Sequence, residues 1–240
     1  MNAHLASALT PIYPLAYAAQ LAGLDSATAR RWVKGHAYNY KGERRQAAPV
    51  IHIVRPGAPI NGDLSFEELL TLRLVRAFRD KGLGLPTIKK AAQIAADKYG
   101  QSNPFVTKAF RSDGVSVFLE LGKQAAVGNE RLLVNALTGQ QEFRDVVEPS
   151  LFRDLVFVGD TPGQWFPLGL EHSVVIRPDQ AFGSPHLKET GIRTDVVADA
   201  VIAEGADDAA VKAVAAWFNI TEQQVRDAVE AERAWHLKAA

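Results

Sequence analysis

The chain has 240 residues, 47% hydrophobic and 22% charged, which is ordinary globular usage and argues against disorder along its length. It contains no cysteine, so a disulfide scaffold, a thiolate metal site and a cysteine nucleophile are excluded. The formal net charge is zero, but residues 1–60 carry seven basic against two acidic side chains, +5, and the remainder carries −5, an asymmetry expected when one part of a chain meets phosphate.

Met1 to Thr10 lack the basic start and sustained apolar core of a secretory leader. No stretch approaches the roughly 18 consecutive apolar residues of a membrane span. A cytoplasmic protein with no membrane partner is the expectation. After an arm with Pro11 and Pro14, Leu15, Ala18, Ala19 and Ala22 recur at helical spacing up to Gly23. Asp25 or Ser26 can cap a second helix, Ala27 to Lys34, with Trp32 and Val33 turned inward. Tyr38, Tyr40, the turn Lys41-Gly42-Glu43 and the run Val50, Ile51, Ile53, Val54 read as a β-hairpin. Ser65 with Glu68 forms a capping box ahead of an apolar helix through Phe78. Another helix runs from Thr87 to about Tyr99.

From Pro104 to Pro178 the pattern reads as short strands and turns. Val115 to Leu119 and Leu155 to Val158 are the clearest strands, and Phe143 to Val147 reads as a helical turn. The last fifty residues return to helix: Arg193 to Glu204, a segment capped by Asp207 or Asp208, and a final helix opened by Thr221. The fold class expected is α+β, mostly α. Its divisions are a winged helix-turn-helix over 1–103, a central region of short antiparallel strands over 104–178, and a three-helix, helix-turn-helix-like bundle over 179–240.

The segment Leu15 to Lys34 has the helix-turn-helix layout: helix, glycine turn, second helix with small and basic outward residues. A recognition helix must enter a major groove roughly 12 Å wide, which suits the small Ser26, Ala27 and Ala29. Ser26, Thr28 and Arg31 then reach bases or phosphates, and Arg30 and Lys34 neutralise phosphate. Tyr38, Tyr40, Lys41, Arg44 and Arg45 form a basic, aromatic wing. These ten residues are the candidate DNA-binding set, with operator DNA as partner and a homodimer as the expected form. The competing reading is a helical hairpin that serves only as core.

Catalytic patterns are missing from the sequence. The six histidines have no His-x-x-x-His spacing, and there is no Walker lysine and no Gly-x-Ser-x-Gly elbow. The expectation is a protein that is not an enzyme, with no catalytic residue, no metal and no cofactor.

The Gly-Leu turn, the run Thr28-Ala29-Arg30-Arg31-Trp32-Val33 and the wing resemble the MerR-type winged helix, and Ser65 to Ile88 is similar to its second helical pair. The long dimerisation helix and effector cysteines of the MerR metal sensors are missing, so metal sensing is not implied. The C-terminal part, through Val174-Val175-Ile176-Arg177-Pro178, Phe182-Gly183-Ser184-Pro185, Gly191-Ile192-Arg193-Thr194 and Val225-Arg226-Asp227-Ala228-Val229, resembles a small domain of bacterial antitoxins. Taken whole, the chain resembles the long two-domain VapB-type antitoxins. The resemblance implies autorepression of an operon and neutralisation of a VapC-like toxin, a ribonuclease of the PIN type. It departs from most VapB antitoxins, which are shorter and open with a different DNA-binding fold.

Within residues 187–240 ten acidic side chains face six basic ones, which disfavours a second DNA-reading unit. Its outward set, Glu222, Gln223, Gln224, Arg226, Asp227 and Glu230, suits contact with a protein or dimerisation, and a bundle that only packs is the competing reading. Arg226 and Arg233 share a helix face, and Trp235 follows on what reads as an exposed tail. These three are the candidate toxin-binding residues. Pairing of Arg233 with Glu230 or Glu232 on a solvated face is the competing reading. The alternative function is a stand-alone transcription regulator holding a small effector among Tyr99, Phe157, Trp165 and Phe166.

Overall fold

The computed structural model describes residues 8–50, 63–101, 103–124 and 152–239. The protein is mixed α+β and mostly helical, with short antiparallel strand pairs. The arm before the first helix runs antiparallel to the segment before the third: Tyr13 N–H donates to Leu64 O at 3.0 Å and Leu64 N–H to Tyr13 O at 2.7 Å. Helix α1 (Leu15–Leu21) and helix α2 (Ser26–Lys34) follow, α2 being capped by the Asp25 carboxylate, which accepts from Thr28 N–H at 2.8 Å. Strands β1 (His36–Tyr40) and β2 (Glu43–Ala47) form the hairpin. Its second strand is therefore the charged run at Glu43, not the apolar run at Val50. Residues 51–54 lie outside the described residues, and Val50 is instead buried with its N–H on Trp32 O.

Helix α3 (Phe66–Asp80) starts with the expected capping box, Ser65 Oγ accepting from Glu68 N–H and Glu68 Oε2 from Ser65 N–H. Helix α4 (Leu85–Tyr99) begins two residues before Thr87, with Pro86 near its start, where a missing N–H costs nothing.

The central region departs from the strand reading. Helix α5 (Lys108–Gln124) covers Val115 to Leu119. Its buried residues Phe110, Val117, Phe118 and Leu121 fall at helical spacing, and that period prevails over the strand preference of Val115 and Val117. The buried face completes an aromatic cluster in which Phe78 meets Phe105 and Phe118 edge-on at 5.3 and 5.4 Å, and Phe105 meets Phe110 at 4.9 Å. Such pairs add about 0.5–1.5 kcal/mol each beyond area burial. The helical turn expected at Phe143 to Val147 lies outside the described residues.

Strands β3 (Leu155–Val158) and β4 (Thr161–Trp165) pair antiparallel, as do the two-residue β5 (Val174–Val175) and β6 (His186–Leu187). The chain closes with helices α6 (Thr194–Ala203), α7 (Asp208–Phe218) and α8 (Glu222–Ala239), α7 being capped by Asp207. Helix α8 packs on both α6 and α1. One contiguous core therefore runs from Tyr13 to Trp235. At the α1 seam, burial pushes the Tyr17 hydroxyl up to about 12, and the Tyr13 hydroxyl is raised by burial as well.

Two sequence expectations for α8 are corrected here. Asp227 is on the buried face, accepting from Ser173 N–H at 2.7 Å and Gln223 Nε2 at 2.8 Å, with His172 Nδ1 at 3.1 Å. Trp235 is not on a free tail: α8 continues past it and its side chain is buried in the core.

The hydrogen bond to Asp227 chiefly raises the His172 pKa. Burial alone would raise the Asp227 carboxyl, but the bonds from Ser173, Gln223 and His172 outweigh it and hold the carboxyl below its usual value. The His172 contribution is full below its unfolded value, about 6.5, and is lost as pH rises through the raised folded value. The Asp227 contribution is full above its unfolded value, about 4, and is lost as pH falls through the lowered one. The melting temperature should accordingly be highest between roughly pH 4 and 6.5, with the alkaline slope missing in His172→Ala. Asp227→Ala leaves the Ser173 N–H unpaired and should cost about 1–3 kcal/mol in denaturant unfolding.

Candidate nucleic-acid interface

Helix α2 divides cleanly. Ala29, Trp32 and Val33 face the core, while Ser26, Ala27, Arg30 and Arg31 are exposed and Thr28 and Lys34 half-buried. Ala29 is thus not part of the narrow outer edge that the sequence suggested; its small size allows close packing of the helix on the core. Arg31 donates to Thr28 Oγ1 at 2.9 Å, one turn back, which pre-orients the guanidinium along the outer face.

The hairpin projects next to α2, and every residue of it except Ala47 is exposed on both faces. In its register Tyr38 lies opposite Arg45 and Tyr40 opposite Glu43, on one face with His36, while Asn39 and Arg44 occupy the other. The Arg45 guanidinium sits 4.7 Å from the Tyr40 ring centroid and also meets Glu43 at 3.1 Å; Lys41 Nζ is 5.5 Å from the same ring. Each cation–π contact at such an exposed site contributes about 0.5–1 kcal/mol. A two-stranded hairpin is marginal alone in water, so its base is held by other elements. Val50 N–H donates to Trp32 O at 2.7 Å, and Lys89 Nζ from α4 donates to Ala48 O.

All ten sequence-selected residues therefore fall on two adjacent elements, and their cations other than the half-buried Lys34 are exposed. Sequence reading missed Lys89, whose position beside the wing depends on how α4 docks.

The candidate residues at the other end divide differently. Arg226 and Arg233 line one groove of about 620 Å³ between α8 and the α6–α7 turn, floored by Val201, Val211 and Val229. Arg226 pairs with Asp208 at 3.0 Å. Among the described residues Arg233 has no ion-pair partner, and Glu232 instead accepts from the Thr194 hydroxyl. Trp235 is on the opposite side, in a smaller cavity.

Of the aromatics considered for an effector, Trp165 lines that smaller cavity, and Phe157 lies tilted against Phe152 at 6.3 Å, under the Arg111 guanidinium. Among the described residues no group of three or more His, Asp or Glu side chains could hold a metal ion, and no helix is long and apolar enough to cross a membrane.

The fold is thus a pair of short helices joined by a tight turn and followed by an exposed hairpin, continued through a helical body into three C-terminal helices. It is similar to the crystal structure of Rv2018 from Mycobacterium tuberculosis, with a TM-score of 0.70, 22% identity, and coverage of 92% of this chain and 98% of that one. At that identity the likeness establishes the fold. No family model matches the sequence, and no curated protein matches it.

Gly35 joins α2 to the wing with φ +71, and a Cβ there would meet Ala47 O at 2.3 Å. Gly42 in the turn has φ +82 but open space around it. Gly35→Ala should therefore combine backbone strain of about 1–3 kcal/mol with displacement of the wing. Gly42→Ala should cost only about 1–2 kcal/mol. Thermal unfolding and the hairpin amide NMR shifts read both.

Proposed function

We propose that this protein is an antitoxin of a type II toxin–antitoxin pair, which binds operator DNA through α2 and the β1–β2 wing and neutralises a VapC-like PIN ribonuclease. The observation that carries the DNA half is the wing. A hairpin exposed on both faces buries almost nothing, yet its cations and tyrosines project beside the exposed basic face of α2. Phosphate contacts give a protein its orientation and affinity on DNA, and side chains entering the groove give it sequence preference. Arg44 and Lys41 suit the first role, Ser26 and Arg31 the second. Two-fold dimerisation would double both sets of contacts on a palindromic site.

Lys41→Ala and Arg44→Ala should weaken binding on every duplex and lower the slope of log affinity against log salt by about one unit each. Arg31→Ala should in addition reduce preference for the operator. Fluorescence anisotropy across a salt series reads these effects. Unchanged affinity in the Lys41→Ala/Arg44→Ala double variant would remove the wing from the interface.

The toxin half rests on the sequence resemblance and on the Arg226–Arg233 groove. A PIN-type ribonuclease holds its metal in a carboxylate cleft, and an exposed guanidinium such as that of Arg233 is suited to pair there. Trp235 is withdrawn from this contact because it is core. Co-expression with the adjacent gene product should give a complex that inhibits the ribonuclease. Arg233→Ala should weaken that inhibition, and equal inhibition by the variant would remove this groove from the mechanism.

A further inference from the structure

We infer that Arg76, on α3 and remote from the wing, sets the angle at which α2 is presented to DNA. The inference rests on the DNA-binding reading and adds a residue that touches no DNA.

Helix α1 has seven residues, too few to hold its shape alone; Gly23 and Leu24 N–H close on Gln20 O and Ala19 O, which leaves the carbonyls of Leu21 and of the C-cap residue Ala22 without a backbone donor among the described residues. Arg76 Nη1 donates to one of them, Ala22 O, at 3.1 Å. A cation at that end also complements the helix dipole. Ala22 is buried and immediately precedes Gly23, whose φ of +69 reverses the chain into α2. The same guanidinium also lies near the carboxylate one turn on, with Arg76 Nε 3.5 Å from Asp80.

The helix carrying Arg76 is itself anchored. Arg73, on the same side, donates to Asp154 at 2.7 Å, and Asp154 accepts from Trp165 Nε1 at 2.9 Å. Arg73, Arg76, Asp154, Trp165, Ala22 and Trp235 line one cavity of about 160 Å³ where α1, α3, the β3–β4 hairpin and α8 meet. The helix-turn-helix turn is thereby hydrogen-bonded to a helix that the rest of the molecule holds in place.

Loss of this bond affects two kinds of DNA binding differently. Attraction to phosphates is long-range and tolerates a small tilt of α2. Base readout depends on hydrogen-bond distance and angle and does not. Arg76 is thus a positioning residue for specificity.

The experiment uses full-length protein and two probes: a duplex enriched from random sequence by the wild-type protein, and an unselected duplex of equal length. Arg76→Met keeps the aliphatic stem and removes the donors; Arg76→Lys restores one donor. Arg76→Met should bind the enriched duplex about tenfold more weakly, bind the unselected duplex as wild type does, and keep the wild-type salt slope. Arg76→Lys should recover most of the loss, and circular dichroism should show both variants folded. Wild-type affinity for both probes in Arg76→Met overturns the inference while leaving the DNA reading intact. Equal loss on both probes with a salt slope lower by one also overturns it, because Arg76 would then be a phosphate contact. If Arg76→Met does not fold, the Lys variant decides: a lost preference for the enriched duplex overturns the inference, since its donor remains. Failure of the wild-type protein to enrich any duplex refutes the DNA reading itself.

Discussion

Helix α3 is buried round most of its circumference, and the other elements take their places against it. Its apolar residues Leu69, Leu70, Leu72, Leu74, Val75 and Phe78 are all buried, and so are Glu67, Glu68 and Thr71. A helix with so little free surface must be covered from several directions. The Tyr13–Leu64 pairing covers its start, the aromatic residues Phe105, Phe110 and Phe118 enclose Phe78 at its end, and its two arginines hold the turn after α1 and the central hairpin. The polar groups it buries are paired: Glu68 with Ser65, the Thr71 hydroxyl with Glu67 O, and Glu67 with Asn103. Leaving such groups unmatched would cost about 1–3 kcal/mol each.

With the core built around α3, to which α2 contributes Ala29, Trp32 and Val33, the hairpin is the basic element with little structural duty. The wing contributes little burial and can be shaped by what it contacts. Helix α8 has the opposite arrangement, with a different task on each face. Its inner face, Ala228, Ala231 and Trp235, meets the body of the protein, and its outer face, Arg226, Val229 and Arg233, lines the open groove. A partner in that groove would sit one helix away from α1, which α8 also contacts.

Much of this arrangement was legible in the chain. The two helices on either side of Gly23, the capping box at Ser65 and Glu68 and the three C-terminal helices follow from caps, glycine stops and period, which are local properties. The exposed basic set from Ser26 to Arg45 was legible for the same reason, since charged residues at regular spacing declare the outward face of a short helix or hairpin. The misread segments were those where local signals compete. In α5 the β-branched Val115 and Val117 suggest a strand, while the spacing of Phe110, Val117, Phe118 and Leu121 fits a helix. In the wing, the apolar run at Val50 has more strand character than the charged run at Glu43, but the tight turn at Lys41-Gly42 fixes the pairing.

By itself, then, the sequence determined the capped helices at both ends of the chain, their order, the charge asymmetry and the outward face of the short N-terminal elements. It could not determine which long-range partners close the structure. Asp227 and Trp235 sit in a helix whose charged residues suggest a solvated surface, and only the docking of α8 against Ser173, His172 and α1 makes them interior. Likewise Arg73 and Arg76 are ordinary helix-face arginines until Asp154 and Ala22, 81 and 54 residues away along the chain, are brought to them. Periodicity records which face of a helix is apolar. The partner of a buried polar group is fixed by the packing of distant segments, which no local pattern encodes.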